Sequence, residues 1–207
     1  MQPLAHKHIL LGVTGGIAAY KSPTLVRRLR DAGAEVRVVM TAGAAQFITP
    51  LTLQAVSGHP VYQHAFQSDT DAMEHIRLAR WADTLLIAPA SADFLARLAH
   101  GHADDLLSTL CLAAEAPPLV APAMNQAMWA NPAVQANVRL LEERGVRLLG
   151  PAPGDQACGE SGPGRMLEPE ELVAAVSGGG DGPLAGRSVL ITAGPTREAL
   201  DPARFLS

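Results

Sequence analysis

Short apolar runs alternate along this chain with longer amphipathic ones. His8-Ile9-Leu10-Leu11-Gly12-Val13 is long enough for a buried strand and too short for a helix. From Ile17 to Ala32, Leu25, Val26 and Leu29 share one helical face, with Lys21, Arg27, Arg28 and Arg30 elsewhere. That spacing predicts a helix, and Gly33 is a plausible stop for it. Further strands are predicted at Glu35 to Met40, Thr84 to Ala88, Leu119 to Ala121 and Val146 to Leu149, and helices over 92–100, 105–114, 132–144 and 169–177. The alternation implies βαβ units: an α/β fold with an open parallel sheet and helices on both faces.

A change of composition ends this pattern. Ser177-Gly178-Gly179-Gly180-Asp181-Gly182-Pro183 reads as a linker, and Ser188 to Thr192 as a new strand running into Ala193-Gly194-Pro195-Thr196-Arg197. The expected organisation is a domain over 1–177, a linker over 178–186 and, over 187–207, the first strand of a truncated second α/β domain. The chain stops at Ser207, before that second domain could form a core.

Composition narrows the function classes. The chain is 48% hydrophobic and 17% charged, which suits a folded globular protein. A net charge of −4 without a basic run argues against nucleic-acid binding. The apolar strand after Met1–His8 breaks at Gly12, too short for a signal peptide or a membrane span. Two cysteines, Cys111 and Cys158, make no disulfide framework, so a reducing, cytoplasmic setting is expected. Aromatic residues are only 4%, so a planar ligand would be held largely by backbone and aliphatic groups.

Candidate chemistry clusters where predicted strands end, which is where open parallel sheets bind ligands. After the first strand comes Thr14-Gly15-Gly16-Ile17, whose glycines let backbone N–H groups approach a phosphate or a ring edge, although the order is not GxGxxG. Thr41 follows the second strand and can cap a helix or donate to a phosphate. Ser91 and Asp93 follow the third, with Ser91 also a candidate helix cap. Asn125 follows the fourth: it is either a cap or an amide that grips a carboxylate without adding a competing charge. His75 has apolar neighbours at helical spacing and is either a structural histidine or a base. Cys158 lies in a glycine-rich stretch, Ala157-Cys158-Gly159-Glu160-Ser161-Gly162-Pro163-Gly164-Arg165-Met166, poorly suited to a core cysteine, whereas Cys111 sits on an apolar helix and reads as core. The glycines suggest a flap carrying a reactive thiol.

Three of these stretches resemble motifs of the homo-oligomeric flavin-containing cysteine decarboxylases: His75-Ile76-Arg77-Leu78-Ala79-Arg80-Trp81-Ala82-Asp83, Pro122-Ala123-Met124-Asn125-Gln126-Ala127-Met128-Trp129, and the stretch around Cys158. The tail from Val189 to Glu198 resembles the start of a phosphopantothenate–cysteine ligase domain. The resemblance implies a Rossmann-like flavoprotein fold, FMN as cofactor and phosphopantothenoylcysteine as substrate. It implies a carboxy-lyase of coenzyme A synthesis that works through a thioaldehyde, loss of carbon dioxide and re-reduction to phosphopantetheine. His75, Asn125 and Cys158 would be catalytic. Gly15, Gly16, Thr41, Ser91 and Asp93 would contact flavin. Asn125, Met128, Arg165 and Met166 would contact substrate. No metal is expected in this half; CTP and Mg2+ would serve only a ligase domain in a longer chain. A homotrimer or a multiple of it is implied, with flavin near a subunit boundary and no nucleic-acid or membrane partner.

Three other readings compete. A peptide C-terminal cysteine could be the substrate, but the ligase-like tail argues against it. Against a non-catalytic regulatory flavoprotein, His75, Asn125 and Cys158 together favour an enzyme, with which a binding role could coexist. A zinc site of His100, His102 and Cys158 lacks the usual ligand spacing.

Overall fold

The computed structural model of the chain describes residues 2–64, 73–157, 159–178, 198–201 and 204–206. Contacts divide the chain into two units, Met1–Ser177 and Gly178–Ser207.

The first unit is an α/β domain. Its sheet contains β1 (His8–Val13), β2 (Glu35–Met40), β3 (Val61–Tyr62), β4 (Thr84–Ala90), β5 (Leu119–Pro122) and β6 (Arg147–Leu148). They lie in the order β3-β2-β1-β4-β5-β6, all parallel. The central strands are apolar at successive positions because both faces are covered. In β1, Ile9, Leu11 and Val13 join one core cluster and Leu10 joins the other. Helices α1 (Ser22–Asp31), α2 (Pro50–Ser57) and α8 (Pro169–Val176) supply Leu25, Val26, Leu29, Leu53 and Leu172 to the first cluster. Helices α3 (Glu74–Trp81), α4 (Ala92–His100), α5 (Leu106–Ala113) and α7 (Pro132–Glu143) cover the other face, with Leu78, Phe94, Leu95, Leu107, Leu110 and Leu141 buried there. The expected open parallel sheet with helices on both faces is present, with the strand order of a Rossmann fold.

Some elements depart from the sequence expectations. The helix expected from Ile17 divides into a 3-10 helix, Ile17–Lys21, and then α1. Pro23 stands in the first turn of α1, the place where a missing N–H costs no helix bond, so the α-helix starts at Ser22. The pattern also did not predict α2, the two-residue strand β3 or the short helix α6 (Gln126–Ala130). Nor did it predict the antiparallel pair of β7 (Ala152–Asp155) and β8 (Ser161–Arg165), whose glycines and prolines carry no strand signal. No helix among the described residues is long and apolar enough to cross a membrane.

In the second unit, β9 (Glu198–Asp201) and β10 (Arg204–Leu206) pair antiparallel with an irregular register. The strand expected at 188–192 lies outside the described residues.

A candidate active site at the carboxyl ends of the central strands

From β1 the chain winds outward to β2, and from β4 it winds the other way to β5, so β1 and β4 bound a topological switch point. The loops leaving these two strands must part there, and a cavity of about 640 Å3 lies between them. Gly15 and Gly16 wall one side, followed by Ile17, Tyr20 and Lys21 of the 3-10 helix. Ser91 of the β4 loop, Asn125 and Met128 beyond β5, and Arg165 and Met166 at the end of β8 complete the wall.

Thr14 joins the two loops. Its hydroxyl donates to the carbonyl of Pro89 at 2.8 Å and accepts from the N–H of Ser91 at 2.9 Å, in a position only 2% exposed. Ser91 in turn caps α4, accepting from the N–H of Phe94 at 3.2 Å. Gly15 passes close to Gly43: a Cβ on it would stand 2.9 Å from the Gly43 carbonyl carbon. Bare backbone is therefore required where the loops meet.

Asn125 begins α6. Its Oδ1 accepts from the N–H of Ala127 at 2.8 Å. Its Nδ2 donates to Gln156 Oε1 at 3.2 Å and to Glu160 Oε2 at 2.7 Å, both beyond β7. Gln156 also accepts from the N–H of Gln126 at 3.0 Å and donates to the Pro163 carbonyl at 3.3 Å. The β7–β8 hairpin docks on the same segment through backbone, with the Met124 N–H donating to the Gly164 carbonyl at 2.9 Å. Gly164 has φ +146°, and a Cβ there would lie 2.3 Å from the Met124 carbonyl oxygen. This accounts for a glycine before Arg165 and Met166.

A buried cation ties the opposite walls. Lys21, 8% exposed, donates from Nζ to the Met166 carbonyl at 3.2 Å and to Glu168 Oε1 at 2.7 Å. Arg165 donates to the same Glu168 oxygen at 2.9 Å. Lys21, with a smaller contribution from Arg165, holds the Glu168 carboxyl below the usual carboxylate range.

The remaining sequence candidates lie elsewhere. Thr41 is outside the cavity wall, its hydroxyl accepting from the N–H of Ala44 at 3.2 Å. Asp93 is also outside the wall, paired with Arg97 at 2.9 Å, which also meets Asp104. His75 is half-buried on α3, outside this cavity's wall, and its Nδ1 is buried with no hydrogen-bond partner among the described residues. Cys158 lies outside the described residues, between Ala157 of the wall and Gly159. Among the described residues no cluster of three or more His, Cys, Asp or Glu side chains is placed to hold a metal ion.

Sequence reasoning missed Thr14, Lys21, Gln156 and Glu160. Thr14 stood within a quoted motif and could have been found as a polar residue directly after a buried strand. Lys21 and Glu168 are 147 positions apart and give no local signal.

Comparison with known proteins supplies the context. Residues 1–179 match the family model described as Flavoprotein, and residues 184–207 match the DNA/pantothenate metabolism flavoprotein C-terminal domain. The chain is 57% identical over 209 aligned positions to the coenzyme A biosynthesis bifunctional protein CoaBC of Vibrio vulnificus, covering 100% of this chain and 52% of that protein. For the protein of that description from Escherichia coli the values are 55%, 99% and 51%. The chain thus spans about half the length of the curated relatives it matches. Among solved structures, a cysteine-to-serine mutant of PPC decarboxylase complexed with pantothenoylaminoethenethiol superposes with TM-score 0.73 at 35% identity, over 82% of this chain and 96% of that one. The FMN-dependent cysteine decarboxylase SpaF gives 0.72 at 37%, over 84% and 99%.

Proposed function

The chain belongs to the flavoprotein family, and on that premise we propose that it is an FMN-dependent decarboxylase converting phosphopantothenoylcysteine to phosphopantetheine in coenzyme A synthesis. The observation that carries this reading is the cavity at the β1/β4 switch point, where the Gly15–Gly16 loop and Asn125 share one wall. The names of its relatives, coenzyme A biosynthesis proteins and cysteine decarboxylases, support the same substrate class.

The residues present fit FMN. A cavity of about 640 Å3 is in the range of small-molecule sites. A Cβ on Gly16 would meet nothing within 4 Å, so ring or phosphate can approach the backbone there. Gly15, Gly16 and Ser91 are the proposed flavin contacts in the wall. Thr41 and Asp93, carried over from the family resemblance, would act from outside it. FMN, when bound, supplies the reversible two-electron acceptor without which the departing carboxylate has no electron sink.

The chain's own groups bind and orient. The Asn125 amide donates to the substrate carboxylate and, being neutral, neither repels it nor pairs so strongly that its loss is opposed. Met128 and Met166 pack on the substrate, and Arg165, anchored by Glu168, flanks it. Cys158 donates the proton of the final reduction. His75 would accept or share the proton of the substrate thiol. It lies outside this cavity's wall, two positions after Met73, which is 62% exposed. We therefore assign His75 to the cavity of a neighbouring copy in a homotrimer or a multiple of it. The setting we infer is the reducing cytoplasm. Any coupling of cysteine to phosphopantothenate, with CTP and Mg2+, we assign to the domain that residues 184–207 match.

The test is direct. The purified protein should show flavin absorption bands and release carbon dioxide and phosphopantetheine from phosphopantothenoylcysteine. A colourless protein that FMN does not reconstitute would overturn the reading.

A further inference from the structure

The Asn125 amide is fixed in one orientation by its helix. Its Oδ1 accepts from the Ala127 N–H at 2.8 Å, and a flipped amide would set NH2 against that donor. Nδ2 therefore faces the hairpin. It donates to Gln156 Oε1 at 3.2 Å, and Gln156 is itself anchored by the Gln126 N–H and the Pro163 carbonyl. Its shorter bond, at 2.7 Å, goes to the carboxylate of Glu160. The same Glu160 oxygen lies 3.4 Å from Nε2 of Gln126, so it stands between two side-chain amides. Glu160 is exposed, and its backbone carbonyl accepts from the Gln156 N–H at 2.8 Å. Its carboxylate can thus turn away while the backbone stays in place.

We propose that Glu160 is a specificity-determining residue that competes, as an internal carboxylate, for the Asn125 donor required by the substrate's carboxylate. The proposal rests on the functional reading of Asn125 given above. A carboxylate-bearing ligand must displace Glu160 from Nδ2, and the two like charges then stand close together. A ligand without the carboxylate, such as the decarboxylated product, leaves the Glu160–Asn125 bond intact. Repulsion between the carboxylates raises the energy of bound substrate. It weakens as charge leaves the substrate carboxylate on the way to carbon dioxide, so it opposes tight ground-state binding more than it opposes reaction.

The experiment compares FMN-loaded wild type with Glu160→Gln, which keeps shape and an acceptor oxygen but removes the charge. Two ligands that cannot react at sulfur serve as probes in calorimetry: phosphopantothenoylalanine, with the carboxylate, and its ethylamide counterpart without it. Glu160→Gln should bind the alanine compound about two- to fivefold more tightly, the worth of an exposed charge interaction, and the ethylamide unchanged. With phosphopantothenoylcysteine, KM should fall while kcat does not rise. Equal changes for both probes, or weaker binding of the carboxylate probe, would overturn the role of Glu160 alone. Failure of wild type to bind either probe would overturn the functional reading beneath it.

Discussion

Asn125 does two jobs with one amide: its oxygen starts α6 and its nitrogen faces the β7–β8 hairpin. Asn125→Asp keeps the cap but loses both donors. Turnover should drop about tenfold to a hundredfold, the cost of an unmade bond to a charged group, while flavin absorbance stays. Loss of flavin would assign Asn125 to the cofactor instead. Lys21 is a second residue on which the cavity depends. Lys21→Met removes a buried donor from the Met166 carbonyl and from Glu168, and should cost about 1–3 kcal/mol in denaturant unfolding at neutral pH. Because Glu168 sits below its ordinary value of 4.5, the charge part of this contribution is complete above that pH. It is lost as pH falls through the lower folded value. The gap between wild type and Lys21→Met should therefore narrow on acidification; a gap constant with pH would contradict the pairing. At Cys111, burial first and Asp105 second push the thiol up to about 12. In a Cys158→Ser variant it is the one cysteine left; half-buried, with its thiol protonated at pH 8, it should react with thiol reagents much more slowly than in the unfolded chain. Of these residues, Asn125 could be singled out in the sequence because it lies in the turn just beyond a strand's carboxyl end. Lys21 could not, since a lysine among the arginines of an amphipathic run reads as solvated surface.

At the scale of elements, readability followed apolar continuity. β1, β2, β4 and β5 are runs of buried residues, and α4, α5, α7 and α8 have clear periods, so the sequence predicted them. β3 is two residues long and relies on its neighbour for pairing. The β7–β8 hairpin has glycine and proline where strands usually have branched residues; at Gly164 the backbone of Met124 and Asn125 leaves no room for a side chain, and at Gly162 the Gln126 side chain stands in the way. The sequence therefore showed a glycine-rich flap without showing that it is a hairpin. Gly164→Ala tests the reason. The new methyl would meet the Met124 carbonyl at 2.3 Å in a positive-φ position, a strain of about 1–3 kcal/mol. The hairpin should shift off Asn125, raising KM or lowering kcat, while helix content and flavin binding remain. Unchanged kinetics would show that the hairpin contact is dispensable.

For the whole molecule, several large apolar side chains stand in water around the cavity mouth and beyond it. Ile17 is 60% exposed, Tyr20 64%, Phe47 51%, Leu51 72% and Leu112 56%. Such exposure is costly for a lone chain and suits subunit contacts. Mass measurement in solution should give a trimer or a multiple; a monomer that retains flavin and activity would contradict this. The arrangement of the cavity also bears on how the protein comes into being. The Lys21 bonds to Met166 and Glu168 close a circuit of nearly 150 residues. On a ribosome adding about 5–20 residues per second, the loop at Gly15 emerges on the order of ten seconds before its opposite wall. During that interval the nascent chain already carries Gly15, Gly16 and Ser91, the proposed flavin contacts, but not Arg165 and Met166. The wall proposed for substrate is therefore the last to be made, and a polypeptide interrupted before β8 would lack it.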